Sequence, residues 1–224
     1  MNKAQLIKRV EDILKILNRE YPEARTHLDF SSPFELLVST VLAAQCTDVR
    51  INLVMPPLYK KIYKGPKDIL KDGIENFTNN IKSITFFNSK AKSIIGMCEM
   101  LVNDFGGKVP GTIEELTKLP GVGRKSASVV LGNCFGQKDV IIVDTHLKRV
   151  SGRLGLIEND NPEKIETELK EIVPSEQQYN YSLKIGEHGR VICDAKKPKC
   201  EECFLNNICP SKNLLTKQNK KAKK

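Results

Sequence analysis

The sequence predicts an all-α fold, and three observations carry the prediction. Apolar residues recur at three- and four-residue spacing in almost every periodic segment, which places them on one buried stripe of a helix. Several of these segments begin with a Ser or Thr followed three residues later by Glu or Gln, a helix-start signature. Only Val140 to Val143 resembles a strand, and it is too short to build a sheet.

The first helix carries Leu6, Val10, Ile13, Leu14 and Leu17 on one face. Ser32-Pro33-Phe34-Glu35 is a capping box with proline at the first helical position, opening a helix through Leu36, Leu37, Val41 and Ala44. Pro56-Pro57 falls where the helix after Gln45 should continue. Proline inside a helix removes a donor, costs about 3 kcal/mol and biases the preceding Met55 away from helix, so this helix is expected to end early or kink. Asn88 through Phe105 places Ala91, Ile94, Ile95, Cys98, Leu101 and Val102 on one side, and Gly106-Gly107 ends it. Thr112 with Glu115 opens a short helix through Leu116, which Leu119-Pro120-Gly121 stops. A further helix starts near Gly123 and buries Ala127, Val130, Leu131 and Cys134. Asp144 reads as the N-cap of a helix carrying Leu147, Val150 and Leu154, and Ser175 with Gln178 caps a last one through Leu183 and Ile185.

A chain of 224 residues has room for one domain or two small ones. Its 36 Lys and Arg against 27 Asp and Glu give +9, which favours a polyanionic partner over an acidic metabolite. Part of the excess lies in a basic tail, residues 211–224, expected to be disordered. Lys212, Lys217, Lys220, Lys221, Lys223 and Lys224 there read equally as a solubilising end or as added phosphate affinity. No signal-peptide pattern precedes the first helix, and no apolar run approaches the roughly 18 residues of a membrane span. The expectation is a cytoplasmic protein with no membrane partner.

The chemistry concentrates around Lys125, which closes the run Leu119-Pro120-Gly121-Val122-Gly123-Arg124-Lys125. Gly121 and Gly123 lack the Cβ atoms that would hold a ligand away, so the amides here, Val122 among them, can face a phosphate oxygen with the helix dipole behind them. Arg124 and Lys125 sit at the end of a helix where cations oppose that dipole, so local stability does not explain them. An isolated Gly-x-Gly is more often an ordinary connection beside solvated cations. The context argues otherwise, because Val143-Asp144-Thr145-His146 brings a carboxylate nineteen residues after the lysine. An amine behind a phosphate-gripping turn, with an acid downstream, suits chemistry on a nucleic acid backbone.

Cys46, Cys98 and Cys134 lie singly in apolar helical stretches, where a thiol behaves as a small hydrophobe. Cys193, Cys200, Cys203 and Cys209 instead cluster as C-x6-C-x2-C-x5-C. Structural zinc usually takes two close pairs, and only Cys200 and Cys203 are close here. Four thiolates in one compact loop suit an iron–sulfur cube better, with zinc as the other reading. Lys196, Lys197 and Lys199 lie between the first two ligands. They make the loop either a second phosphate grip or a plain folding staple.

The hairpin run, Val143-Asp144-Thr145-His146, Ala43-Ala44-Gln45-Cys46-Thr47-Asp48 and the four-cysteine loop after His188-Gly189-Arg190 occur in one order. On these motifs the chain resembles the bacterial endonuclease III family of helix–hairpin–helix DNA glycosylases, from the first helix to Cys209. The resemblance implies two helical domains with DNA in the cleft between them. One is a barrel over residues 24–138 that contains the hairpin; the other joins residues 1–23 to residues 139–210 and holds one 4Fe-4S cluster on Cys193, Cys200, Cys203 and Cys209. It implies a monomeric, nucleoid-associated base excision repair enzyme. Such an enzyme removes oxidised pyrimidines such as thymine glycol from double-stranded DNA and cuts 3′ to the abasic site by β-elimination. By the same resemblance Lys125 is the nucleophile, Asp144 the catalytic carboxylate, and Gln45 the filler of the gap left by the extruded nucleotide. Phe86 falls where the family places an aliphatic wedge, with a core aromatic as its other reading. Gly121, Val122, Gly123, Arg124, His146, Lys196 and Lys197 are the remaining expected DNA contacts. Mismatch adenine glycosylases of the same superfamily lack the hairpin lysine that this chain has. A non-enzymatic DNA-binding or redox-sensing protein would leave Lys125 and Asp144 without a role.

Overall fold

The computed structural model describes residues 1–212, so nearly all of the expected basic tail lies outside the described residues. Among these the regular structure is entirely helical: ten α-helices and two 3-10 turns, with no strand. The Val140–Val143 stretch is irregular, and its apolar residues Val140, Ile141 and Ile142 are buried. The chain divides into two compact units, one of Thr26–Gly136 and one joining Met1–Arg25 to the residues from Gln137 onward. No helix among the described residues is long and apolar enough to cross a membrane.

In the Thr26–Gly136 unit, α2 (Pro33–Leu42) is buried along almost its whole length and packs against α3 (Asp48–Lys61), α5 (Phe87–Asp104) and α7 (Arg124–Cys134). Ser32 caps α2 through the Glu35 amide, while the Glu35 carboxylate accepts from the amide and hydroxyl of Ser31. α4 (Pro66–Asn80) is broken at Gly73 and lies against α5. α6 (Ile113–Leu116) is a single turn capped by Thr112.

Helix α3 differs from expectation, because it continues through both prolines to Lys61. Ile51, Met55 and Tyr59 anchor one face, whereas the prolines free the carbonyls of Asn52 and Leu53, and Leu53 is exposed on the opposite flank. Water satisfies a carbonyl there, so the lost hydrogen bonds cost less than the burial of the anchoring face returns.

The other unit is built from α1 (Lys3–Glu20), α8 (Thr145–Arg153), α9 (Pro162–Ile172) and α10 (Gln178–Val191). Val10, Ile13, Leu14 and Leu17 of α1 share a core with Leu147, Val150, Leu169, Tyr181 and Ile185. Ser175 does not cap α10 as its spacing suggested; a 3-10 turn, Ser175–Gln177, intervenes. The buried Gln178 side chain turns back instead and donates to the Val173 carbonyl at 3.1 Å, closing the end of α9.

Candidate functional site

The hairpin between α6 and α7 is shaped by one residue that has to be glycine. Gly121 adopts φ +80, and a Cβ there would lie 2.9 Å from the Ser93 Cβ and 3.1 Å from a Val41 methyl. The turn is therefore seated directly on α5 and α2. Val122 is buried and anchors it, with its amide donating to the Leu119 carbonyl at 3.1 Å. That amide is spent inside the turn and is not available for a phosphate. Gly123 differs: it caps α7 with ordinary backbone angles, and a Cβ would meet nothing within 4 Å. Open space above a helix N-terminus is where an anion can approach. Arg124 and Lys125 form the exposed first turn of α7.

Two other expected DNA contacts stand out in the backbone of the same unit. Gln45, with φ 54, and Phe86, with φ 57, are the non-glycine residues at positive φ among those described. Each such residue costs roughly 1–3 kcal/mol and persists only where its surroundings enforce it. Gln45 is exposed in the turn between α2 and α3. Phe86 is the N-cap of α5 and 61% exposed, so it is not a core aromatic. The hairpin, the Gln45 turn and Phe86 are thus all presented by α2 and α5 or their ends.

In the second unit, Asp144 caps α8, its Oδ1 accepting from the Leu147 amide at 2.7 Å. His146, in the first turn of α8, is half-buried against α10, where a Cβ on Gly189 would approach its Cβ to 3.0 Å. Its Nδ1 lies 3.2 Å from Arg149 Nη2. Burial lowers its pKa, opposed by Asp144 and assisted by Arg190 and Arg149, and since a guanidinium only donates, the ring nitrogen accepts from Arg149. The same α8 supports the cysteine loop. Arg153 donates to the Cys193 Sγ at 3.3 Å and to the carbonyls of Asp194 at 2.7 Å and Ala195 at 3.0 Å, while Arg149 Nε donates to the Cys193 carbonyl at 3.1 Å. Asp194 accepts from the amides of Lys196 and Lys197, which fixes the backbone beneath two exposed lysines.

The four cysteines line a single cavity, together with Arg153 and the buried His188. His188 Nε2 lies 3.6 Å from the Cys203 Sγ, its Nδ1 is 3.2 Å from the Tyr21 hydroxyl, and Phe204 packs on both rings. Burial, and to a lesser extent the other three thiols, push the pKa of Cys203 up to about 11. Thiols gathered this way become ligands as thiolates, which a cationic centre stabilises. Among the described residues, no three His, Cys, Asp or Glu side chains converge closely enough to hold a single metal ion. Four sulfurs around a cavity, rather than around a point, fit a polynuclear iron–sulfur cube better than one tetrahedral zinc. Held by the four cysteines, such a cube would cross-link a loop whose one regular element is the 3-10 turn Asn206–Ile208.

Sequence reasoning missed Arg149, Arg153 and His188. The two arginines stand four apart on the helix that Asp144 caps, a spacing that puts both on one face and was the available signal.

Residues 38–175 match the HhH-GPD superfamily of base excision DNA repair proteins, and residues 193–209 match the iron–sulfur binding domain of endonuclease III. The chain is 44% identical over 203 residues to endonuclease III of Synechocystis sp., covering 91% of this chain and 92% of that protein. It superposes on a non-covalent endonuclease III–DNA complex with a TM-score of 0.88 and 36% identity, over 97% of this chain and 99% of that one. A trapped covalent endonuclease III–DNA intermediate gives a TM-score of 0.86 and 36% identity over the whole of both chains.

Proposed function

The chain belongs to the HhH-GPD superfamily of base excision DNA repair proteins, in its endonuclease III branch, and from that premise we propose the residues that perform its reaction. It is a DNA glycosylase and abasic-site lyase carrying an iron–sulfur cluster, and its partner is DNA. Lys125 is the nucleophile. Attack of its free amine on the sugar C1′ expels the base and leaves a Schiff base to the opened sugar. The iminium acidifies a C2′ proton, whose loss drives β-elimination and breaks the C3′–O bond on the 3′ side. Asp144 stabilises the positive charge that develops on the sugar and assists proton movement.

A base inside a duplex hides C1′, so the nucleotide must leave the stack and the gap must be filled. Gln45 fills it and Phe86 wedges the opposite side. Two exposed side chains on strained backbone support this reading, because such strain gathers where a protein pre-organises a contact. The open N-terminus of α7, with Gly123 and Arg124, grips the backbone phosphate. Lys196 and Lys197 on the cluster loop make a second, sequence-independent grip, and His146 positions the Asp144 end of α8. The substrates are oxidised pyrimidines in duplex DNA, taken by a monomer.

The single observation that carries the lysine assignment is its place in the exposed first turn of α7, two residues after the glycine whose surroundings are open. Nicking of thymine-glycol and abasic duplexes tests it. Lys125→Ala should lower nicking by roughly a thousandfold while still binding abasic DNA. Asp144→Asn keeps the α8 cap, since Asn caps as well as Asp, and should lower base excision by roughly a hundredfold. Normal nicking by Lys125→Ala would end the assignment.

A further inference from the structure

Two protein segments must hold left-handed backbone for the proposed opening of the duplex, and one residue is bonded beside both, through its backbone amide at Phe86 and through its buried side chain at the end of α2 that leads into Gln45. Lys90, on α5, is only 8% exposed. Its backbone amide donates to the Phe86 carbonyl at 3.1 Å, the first bond of α5 and the one that begins immediately after the left-handed cap. Its ammonium Nζ donates to the Leu42 carbonyl at 2.8 Å, at the last residue of α2. In a continuing helix that carbonyl would accept from the Cys46 amide, four residues on. The Cys46 amide instead donates to the Ala43 carbonyl at 3.0 Å, forming the turn in which Gln45 reaches φ 54. Lys90 therefore takes the place of the Cys46 amide on α2. A cation at a helix C-terminus also complements the dipole, which offsets part of the cost of burying it.

From these contacts we infer that Lys90 is a positioning residue: it stops α2 so that Gln45 turns outward, and it fixes the same Gln45 turn to the start of α5 behind Phe86. The two DNA-inserting side chains are thereby held in one frame by a lysine that touches neither DNA nor the reacting sugar. The inference rests on the reading of Gln45 and Phe86 as plug and wedge. Without the ammonium, the Cys46 amide can return to the Leu42 carbonyl, α2 lengthens, and Gln45 is drawn out of its left-handed turn.

A double-mutant cycle separates this role from a merely structural one. Single-turnover excision from a thymine-glycol duplex is measured for Lys90→Met in the wild-type background and again in a Gln45→Ala/Phe86→Ala background. Fold integrity is checked by circular dichroism. Lys90→Met should slow excision about tenfold in the first background and by less than about twofold in the second, the non-additivity of groups that act through one another. If Lys90→Met does not fold, Lys90→Gln, whose amide is too short to reach Leu42, takes its place in the same cycle. An equal loss in both backgrounds overturns the inference while leaving the plug and wedge standing. Wild-type excision by Gln45→Ala/Phe86→Ala overturns the plug-and-wedge reading, and the role of Lys90 with it.

Discussion

Substituting alanine separately at the two hairpin glycines should split the stability of the hairpin from its function. At Gly121 the added methyl meets the Ser93 Cβ at 2.9 Å and a Val41 methyl at 3.1 Å, and the backbone sits at φ +80. The left-handed backbone costs a non-glycine residue roughly 1 kcal/mol, and overpacking between α2 and α5 adds about 1–3 kcal/mol. At about 2–4 °C of melting temperature per kcal/mol for a chain of this size, Gly121→Ala should melt about 10 °C lower. Gly123→Ala meets nothing within 4 Å and has ordinary backbone angles, so its melting temperature should stay within about 3 °C of wild type. Its methyl instead occupies the space over the α7 N-terminus, and abasic-duplex affinity should fall about tenfold. Thermal melts followed by circular dichroism, paired with fluorescence anisotropy on labelled duplexes, read both effects. A Gly121→Ala protein that melts like wild type would refute the packing argument, and a Gly123→Ala protein that binds normally would refute the phosphate site.

Three further outcomes follow from the second unit. Arg153→Met removes donors to the Cys193 sulfur and to the Asp194 and Ala195 carbonyls, so the cluster loop should lose iron at a lower urea concentration than wild type; equal iron retention would contradict the clamp. Purified protein should contain about four irons per chain, and stoichiometric zinc would overturn the cluster. Burial depresses the His146 pKa, so its contribution to stability is complete above the unfolded value of about 6.5 and is lost as pH falls below it. His146→Gln should flatten that part of the stability–pH curve measured by urea denaturation.

The features legible in the sequence were those that local physics sets. The α7 stripe, the Thr112 and Asp144 caps and the α6–α7 turn each depend on residues within a few positions, and each forms as its spacing indicates. What the sequence concealed depends on distant partners. Pro56-Pro57 looked like a helix end because the rule is local, yet burial of Ile51, Met55 and Tyr59 carries α3 through. Ser175 had the spacing of a cap, but the buried Gln178 reaches across to α9 instead. Lys90 carries no local signal, because its carbonyl partner lies 48 positions away. Arg153 likewise bonds a loop about 40 residues on, which no helical periodicity announces.

The most direct test of the central assignment is borohydride reduction during turnover on a thymine-glycol duplex, followed by proteolysis and mass spectrometry of the cross-linked peptide. The account predicts a single reduced adduct on Lys125 and no cross-link with Lys125→Ala. An adduct on any other lysine, or trapping that survives Lys125→Ala, would contradict it.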